Sequence, residues 1–344
     1  MCGIAGVIHF DGEPVDVGVI RRMTDAIAHR GPDGEGQWID GPVGIGHRRL
    51  AVLDPTPAGS QPMFDDSGRY VLSYNGEVYN FRELRAELTY LGTTFRSGTD
   101  TEVVLQALIR WGTSALSMFN GMFALAFHDR LEGRFLLARD RYGIKPLYYQ
   151  ETDKGLAFAS EARAIRELPG YEADLDLEAL VEYFTFQNIF TDRTFDKGIR
   201  LLPSGTHLVV DLHGEQRLTA TRYWDYQFEE PTDRVEVAGY AEELDRLFVQ
   251  AVERNLISDV EVGSFLSGGL DSGSITAVAS SRVPKLKTFT CGFDMESVVG
   301  IELAFDERAV ATHAAAMYGT NHSEIALRSG DMERVMSDVV FHIE

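Results

Sequence analysis

The sequence has 344 residues, 44% hydrophobic and 25% charged, a composition that allows about two globular domains, each with its own buried core. Its 53 acidic against 32 basic residues leave a net charge of -21, which argues against a nucleic-acid backbone or an anionic membrane surface as partner, since both need a basic face. Only Cys2 and Cys291 are present, so a disulfide framework is excluded and a reducing, cytoplasmic compartment fits; no apolar run approaches the ~20 residues that span a bilayer, and the nine histidines show no metal-ligand spacing.

Gly3 to Phe10 reads as a buried strand with Cys2 at its start; with no basic segment before it, and His9 and Asp11 ending it, it is not a signal peptide. Removal of Met1, which the small Cys2 side chain permits, would leave a thiol and a free α-amine on one residue. The amine titrates at about 7.7 to 8 and the thiol at about 8.5, so the first can take the proton of the second, directly or through a water. Read alone, Cys2 is better explained as a small apolar residue opening a buried strand, and it is the rest of the chain that reverses this.

Val19, Ile20, Met23 and Ile27 recur at helical spacing until Gly31 and Pro32. Strands are expected at Val43 to His47, Leu50 to Leu53 and Tyr70 to Tyr74. Asn75-Gly76-Glu77 is expected at a strand end, ahead of a helix from about Phe81 to Leu91. Thr99-Asp100-Thr101-Glu102 matches a capping box before the amphipathic run Val103 to Trp111, and on spacing alone Asp100 is a helix-start carboxylate. Met122 to Asp129, Arg134 to Arg139, Pro146 to Gln150 and Leu156 to Ser160 supply four more strands, and His207 to Asp211 a last one. A layered, sheet-rich first domain with helices over sheets follows.

An acidic, proline-containing stretch from Tyr226 to Val237 reads as a linker. Beyond it, helix and strand alternate: helix from about Ala238 to Leu256, strand Val262 to Leu266, helix Ser272 to Ser281, strand Leu286 to Gly292, helix Glu307 to Met317, strand Ser323 to Leu327. This is the order of a parallel α/β nucleotide fold. Ser267-Gly268-Gly269-Leu270-Asp271-Ser272 falls between the first of these strands and its helix. It lacks the Walker lysine and the dinucleotide fingerprint, and reads either as a structural turn or as an anion cradle; the flanking serines and Asp271 tilt it toward pyrophosphate, with Asp271 on magnesium. Met332 to Ile343 forms an apolar helix face still running at Glu344, and three parallel strands make half a doubly wound sheet, so the second domain is expected to be incomplete.

The ordered set Cys2-Gly3-Ile4, His29-Arg30-Gly31-Pro32-Asp33, Arg49-Leu50 with Asp54, Asn75-Gly76-Glu77, Gly98-Thr99-Asp100, Arg139-Asp140 with Gly143, and Ser267 to Ser272 closely resembles the glutamine-hydrolysing asparagine synthetases along essentially the whole chain. The resemblance implies an α+β, four-layer αββα glutaminase domain of N-terminal-nucleophile type at residues 1–213, a connection at 214–237, and a partial α/β ATP pyrophosphatase domain at 238–344. It implies that Cys2 attacks the side-chain amide of glutamine while Asn75 and the Gly76 amide hold the oxyanion. Arg49 would take the substrate α-carboxylate and Asp100 its α-ammonium, with Glu77 lining the site. His29 to Asp33 is read as scaffold.

In the second domain the resemblance implies a β-aspartyl-AMP made from aspartate and ATP with Mg2+, which ammonia reaches through an internal tunnel. Ser267, Gly268, Gly269, Asp271 and Ser272 match the pyrophosphate loop, Phe265 and Cys291 flank the adenosine by their backbone with the Cys291 side chain in the core, and Asp306-Glu307 matches a family Asp-Glu pair. Gly273 stands where the family commonly has Ser, and its second nucleotide run, Ser-Gly-Glu-Gly, is absent. Two alternatives accompany this reading: a relative that amidates another carboxylate, and a non-catalytic partner subunit. A homodimer is compatible with each.

Overall fold

The computed structural model describes residues 1–214, 217–230, 236–294, 306–328 and 330–343. The chain divides into two compact units, Met1–Phe228 and Glu229–Glu344. In chain order the first unit contains β1 (Gly3–His9), α1 (Val17–Ala26), β2 (Gly34–Asp40), β3 (Val43–Arg49), β4 (Met63–Phe64), β5 (Tyr70–Val78), α2 (Phe81–Tyr90), α3 (Asp100–Trp111) and α4 (Ala115–Met118). There follow β6 (Gly121–Asp129), β7 (Arg134–Arg139), β8 (Tyr148–Thr152), β9 (Gly155–Ala159), α5 (Ala162–Arg166), α6 (Leu177–Phe186), β10 (Ile199–Leu201), β11 (Thr206–Asp211) and β12 (Leu218–Arg222). The last of these falls within the stretch read as the connection, of which 215–216 and 231–235 lie outside the described residues.

Two six-stranded sheets form, β10-β8-β9-β1-β3-β2 and β12-β11-β7-β6-β5-β4, antiparallel throughout. Strand alternation explains the unbroken apolar run of β1. Ile4 and Ile8 enter a core shared with Val71, Ala124, Ala126 and Leu137 of the second sheet, whereas Ala5 and Val7 pack with Val19, Ile20 and Met23 of α1. With α2 and α3 stacked together and α3 against β5, the layers are αββα. A residue buried on both faces must be apolar whichever way it points, which is why β1 shows no period of two.

The structure departs from the sequence reading of the first unit. Leu50 to Leu53 is not a strand but a turn, because its groups are engaged by Cys2 and Arg49 rather than by a ladder. β2, glycine-rich and polar, pairs along its whole length with β3 as an edge strand. Asn75, Gly76 and Glu77 lie at the end of β5, as expected, but the strand runs on from Tyr74 through them to Val78, pairing them with Ala124, Phe123 and Met122.

The second unit contains α7 (Val237–Asn255), β13 (Gly263–Phe265), α8 (Leu270–Arg282), β14 (Lys287–Phe293), α9 (Arg308–Tyr318), β15 (Asn321–Leu327) and α10 (Asp331–Ile343). Its three strands are parallel, in the order β13-β14-β15. Small clusters bury Leu266 with Ala311 and Ala315, and Val252 with Ala279 and Leu286. Alternation turns Thr288 and Thr290 inward and leaves Phe289, Cys291 and Phe293 exposed on the other face, so the Cys291 side chain is not in the core as expected. Among the described residues no helix is long and apolar enough to cross a membrane.

Candidate active site

Cys2 sits immediately before β1, its sulfur accepting the Leu50 N–H at 3.3 Å and lying 3.6 Å from the Leu50 carbonyl. Burial raises its thiol pKa; the Leu50 contact pulls the other way, and the charges of Glu77 and Asp100 add to the rise. Ionisation here therefore needs a base. The chain's α-amine, on Met1, is held below its ordinary value, chiefly by burial, which favours the neutral, proton-accepting form at this end of the strand.

β5 pairs with β6 throughout but with β4 only at Val71 and Leu72, so beyond Leu72 its other edge needs partners. Side chains supply them. Gln61 accepts from the Tyr74 amide at 2.7 Å and donates to the Tyr74 carbonyl at 3.1 Å, and Asp100 accepts from the Val78 amide at 2.9 Å. Ladder alternation turns the amide of Gly76, midway between them, to this same edge, where Gly76 lines a small pocket with Cys2. Glycine is required there, since a Cβ would stand 2.5 Å from the Met122 carbonyl oxygen. Next to it, Asn75 is 1% exposed and its Nδ2 has no hydrogen-bond partner among the described residues. An unsatisfied buried donor costs stability and is retained where a transient acceptor uses it.

The Asp100 carboxylate, a helix-start group by its spacing, turns inward: it is buried and also accepts from the Tyr74 hydroxyl at 2.8 Å. The cap is Thr99, as the capping box predicts: its hydroxyl accepts from the Glu102 amide at 3.2 Å. Burial pushes Asp100 to about 6 despite its hydrogen bonds. Glu77 is pushed to about 8, by burial first and then by the charge of Asp100, with Lys145 opposing. A buried carboxylate and a half-buried one at a single pocket attract a cation.

Arg49, at the end of β3, donates to the carbonyls of Thr56 at 2.9 Å, Asp54 at 2.5 Å and Leu53 at 3.4 Å, with its guanidinium against Gly59. Asp54, with φ at +46°, reaches across to the Gly98 amide at 2.8 Å and so ties this turn to the start of α3. The pocket thus gathers Cys2, Arg49, Gly76, Glu77 and Asp100, with Asn75 beside Gly76 on β5. An acid end and a cationic end flank a sulfur and two amide donors, an arrangement suited to an amino acid bearing a carboxamide.

The second candidate site is the turn from β13 into α8. Ser267 accepts from the Gly269 amide at 3.1 Å and its hydroxyl meets that of Ser272 at 2.9 Å; Ser272 in turn accepts from the Ser267 amide at 3.0 Å. Gly269 caps the 13-residue α8 without a side-chain hydrogen bond, which leaves the first-turn amides for an anion. Gly268 packs against Val310, and a Cβ at Gly269 would meet only the Ser267 hydroxyl. Asp271 is exposed in the first turn of α8, and Phe265 and Cys291 expose their side chains on the neighbouring strands. Among the described residues no group of three or more His, Cys, Asp or Glu could hold a metal alone, so a magnesium here would rest on Asp271 and on ligand oxygens. Asp306 is paired with Arg308 at 2.7 Å.

Comparison with known proteins agrees with this geometry. The family model described as a glutamine amidotransferase domain matches residues 1–224, and that described as asparagine synthase matches residues 243–344. The chain belongs to the glutamine-hydrolysing asparagine synthetase family. It is 34% identical to "Asparagine synthetase [glutamine-hydrolyzing] 1" of Bacillus subtilis, over 100% of this chain and 53% of that protein. To "Asparagine synthetase [glutamine-hydrolyzing] 3" of the same organism it is 34% identical, over 99% of this chain and 56% of the relative. To "Putative asparagine synthetase [glutamine-hydrolyzing] 2" of Methanocaldococcus jannaschii it is 32% identical, over 98% and 67% respectively. The chain spans about half the length of the first two.

Within this asparagine synthetase family chain, sequence reasoning missed Gln61, Tyr74 and Lys145. Nothing in the sequence signals that Gln61 replaces a strand. Lys145 had a signal: it closes the Arg139-Asp140-Gly143 turn, is 5% exposed, and lies near enough to Cys2 and Glu77 for their charges to act on it.

Proposed function

We propose that the protein makes asparagine from aspartate, glutamine and ATP in the cytoplasm, and that the first unit supplies ammonia by hydrolysing glutamine. The observation that carries this is the meeting of the Cys2 sulfur with Gly76 and the carboxylates of Asp100 and Glu77 in one pocket, beside the Asn75 amide, whose Nδ2 has no partner among the described residues. With Met1 removed, the Cys2 amine takes the thiol proton. The sulfur attacks the carboxamide carbon of glutamine, and the developing oxyanion is held by Asn75 Nδ2 and the Gly76 amide. Collapse of the tetrahedral species expels ammonia, which takes the proton back from the amine, and leaves a thioester. Water adds to the thioester under the same amine, and glutamate leaves as the thiol re-forms. Losing one oxyanion donor in such a step typically costs about 3 to 4 kcal/mol. Arg49 binds the substrate carboxylate, and Asp100 and Glu77 bind its ammonium.

In the second unit, Ser267, Gly268, Gly269 and Ser272 would hold the pyrophosphate of ATP, with Asp271 on magnesium and the backbone of Phe265 and Cys291 beside the adenosine. Bound there, ATP activates the aspartate carboxylate as an acyl adenylate that ammonia displaces. The uncapped start of α8 supports this placement.

Glutamate release from glutamine tests the first half. Cys2→Ala is expected to abolish it, and intact-mass analysis of active protein to find Met1 gone. Activity that survives the substitution, or full activity with Met1 retained, overturns the assignment. AMP formation with aspartate, compared with other carboxylic acids, tests the acceptor.

A further inference from the structure

With its amine free to act as the base, Cys2 is tethered by the backbone through Gly3, and its position depends on what holds the start of β1. β9 supplies sheet pairing to β1 from His9 back to Ala5, whose partner is Ala159. Ser160 extends it by one step, donating its amide to the Ile4 carbonyl at 2.8 Å and accepting the Ile4 amide on its hydroxyl at 3.0 Å. Two residues further back on that edge is the Cys2 carbonyl, where the strand has run out. Arg30 takes its place, donating Nε to the Cys2 carbonyl at 3.0 Å. Its stem lies beside Gly3, where an added Cβ would sit 3.4 Å from Arg30 Cδ and 2.9 Å from Ile27 Cδ1.

Arg30 is itself held. Its Nη1 donates to Glu161 Oε1 at 2.9 Å, and Glu161 is the residue directly after Ser160. The same carboxylate meets His29 Nε2 at 2.9 Å on Oε1 and Arg163 Nε at 3.0 Å on Oε2. Arg30 and Glu161 are both buried. Their guanidinium and carboxylate are therefore fixed relative to the sheet, and the Cys2 backbone with them. The segment His29 to Asp33, read from sequence as plain scaffold, contributes a contact to the nucleophile's own carbonyl.

We propose that Glu161 is a positioning residue for the glutaminase reaction: through Arg30 it clamps the Cys2 carbonyl and so holds the sulfur in line with the oxyanion donors. This rests on the glutaminase reading above. A misplacement of about 1 Å in an attacking atom can cost about a hundredfold in rate. Glu161 touches neither Arg49, Asp100 nor Glu77, so its loss should act on turnover and spare substrate affinity.

The test is steady-state glutamate release by Glu161→Gln, Arg30→Gln and the double variant, with Cys2→Ala beside them and folding checked by circular dichroism. Glu161→Gln is expected to lower kcat by about 10- to 100-fold while KM for glutamine stays within about threefold. In the Arg30→Gln background the same change should cost less than twofold, because the clamp is already open. Alkylation of Cys2 by iodoacetamide should slow or quicken in both single variants alike. A kcat within twofold of the parent, a KM that carries the whole effect, or full additivity in the double variant overturns the proposal. If Glu161→Gln does not fold, Glu161→Asp, which keeps the charge on a shorter arm, is expected to show a smaller loss with the same split, and parental kcat in it overturns the proposal. Release that persists in Cys2→Ala would instead sink the underlying reading, so the two failures are distinct.

Discussion

Asp100 and Glu77 make the pocket's chemistry depend on pH in a direction that can be worked out. Both have folded-state pKa values raised above the ordinary carboxylate range, to about 6 and about 8, with burial the largest cause. In the free protein they therefore hold protons that the unfolded chain has released, and stability contributed by the protonated pair is lost as pH rises from about 4 through about 8. An incoming ammonium reverses the preference, since it favours the ionised pair. Glutamine binding to the Cys2→Ala protein, where no turnover intervenes, should tighten by close to tenfold between pH 6.5 and pH 7.5, as one proton is displaced from Glu77. Titration calorimetry at the two pH values checks it. Glu77→Gln should flatten the dependence, whereas an equal slope in that variant would show that Glu77 is not the group responsible. The buried His47 cannot supply the same signal, because burial holds it down near 3 and it stays neutral across this range.

At the scale of elements, the turn after β7 shows how a strand edge is fixed by a single side chain. Asp140 is fully buried and accepts four amides, from Phe123 at 3.1 Å, Tyr142 at 3.0 Å, Ile144 at 3.0 Å and Lys145 at 2.9 Å. Phe123 is the residue opposite Gly76, so the carboxylate anchors both the Lys145 turn and the strand that backs the oxyanion donors. Asp140→Ala leaves those amides without acceptors in a dry site and is expected to cost about 4 kcal/mol, as about 1 to 3 kcal/mol per unsatisfied group would suggest after partial relaxation. Denaturant unfolding of the first unit measures this, and a loss under about 1 kcal/mol would mean that water reaches the turn. What the sequence revealed and what it hid divide along the same line. β1, α1, α3, β6 and β7 were legible because their apolar period reports a local surface. Asn75-Gly76-Glu77 reads as the end of a strand, and nothing local shows that Gln61 and Asp100 arrive from elsewhere to complete the edge of β5. β2 hid behind two glycines and a charged pattern because an edge strand buries little. Asp100 was named from the family pattern and the Thr99 cap was legible as the start of a capping box, but the inward turn of the Asp100 carboxylate is a tertiary fact. The roles of Arg30 and Glu161 were hidden for the same reason, since they are 131 residues apart and their meaning lies in the contact.

For the whole molecule, the two units differ in what they bury, and that difference predicts how the chain melts. The first has extensive cores, among them one between its sheets and one under α1, built from side chains such as Ile4, Phe135, Phe158, Ile20 and Met23. Among the described residues the second buries small clusters around Leu266 and Val252, and Phe265 at 83%, Ile325 at 62% and Phe293 at 57% exposure share one face of its sheet that no described element covers. Parallel sheets are ordinarily covered on both faces, so a sheet covered on one face lacks much of its usual stabilisation. Scanning calorimetry of the full chain should therefore show two transitions, the lower belonging to the second unit. Residues 1–228 prepared alone should keep the upper transition within a few degrees and keep Cys2-dependent glutamate release, because every group assigned to that reaction lies within them. The lower transition should vanish from that shorter chain. A single cooperative transition in the full chain, or loss of the upper one on shortening, would show instead that the glutaminase fold depends on the residues after 228.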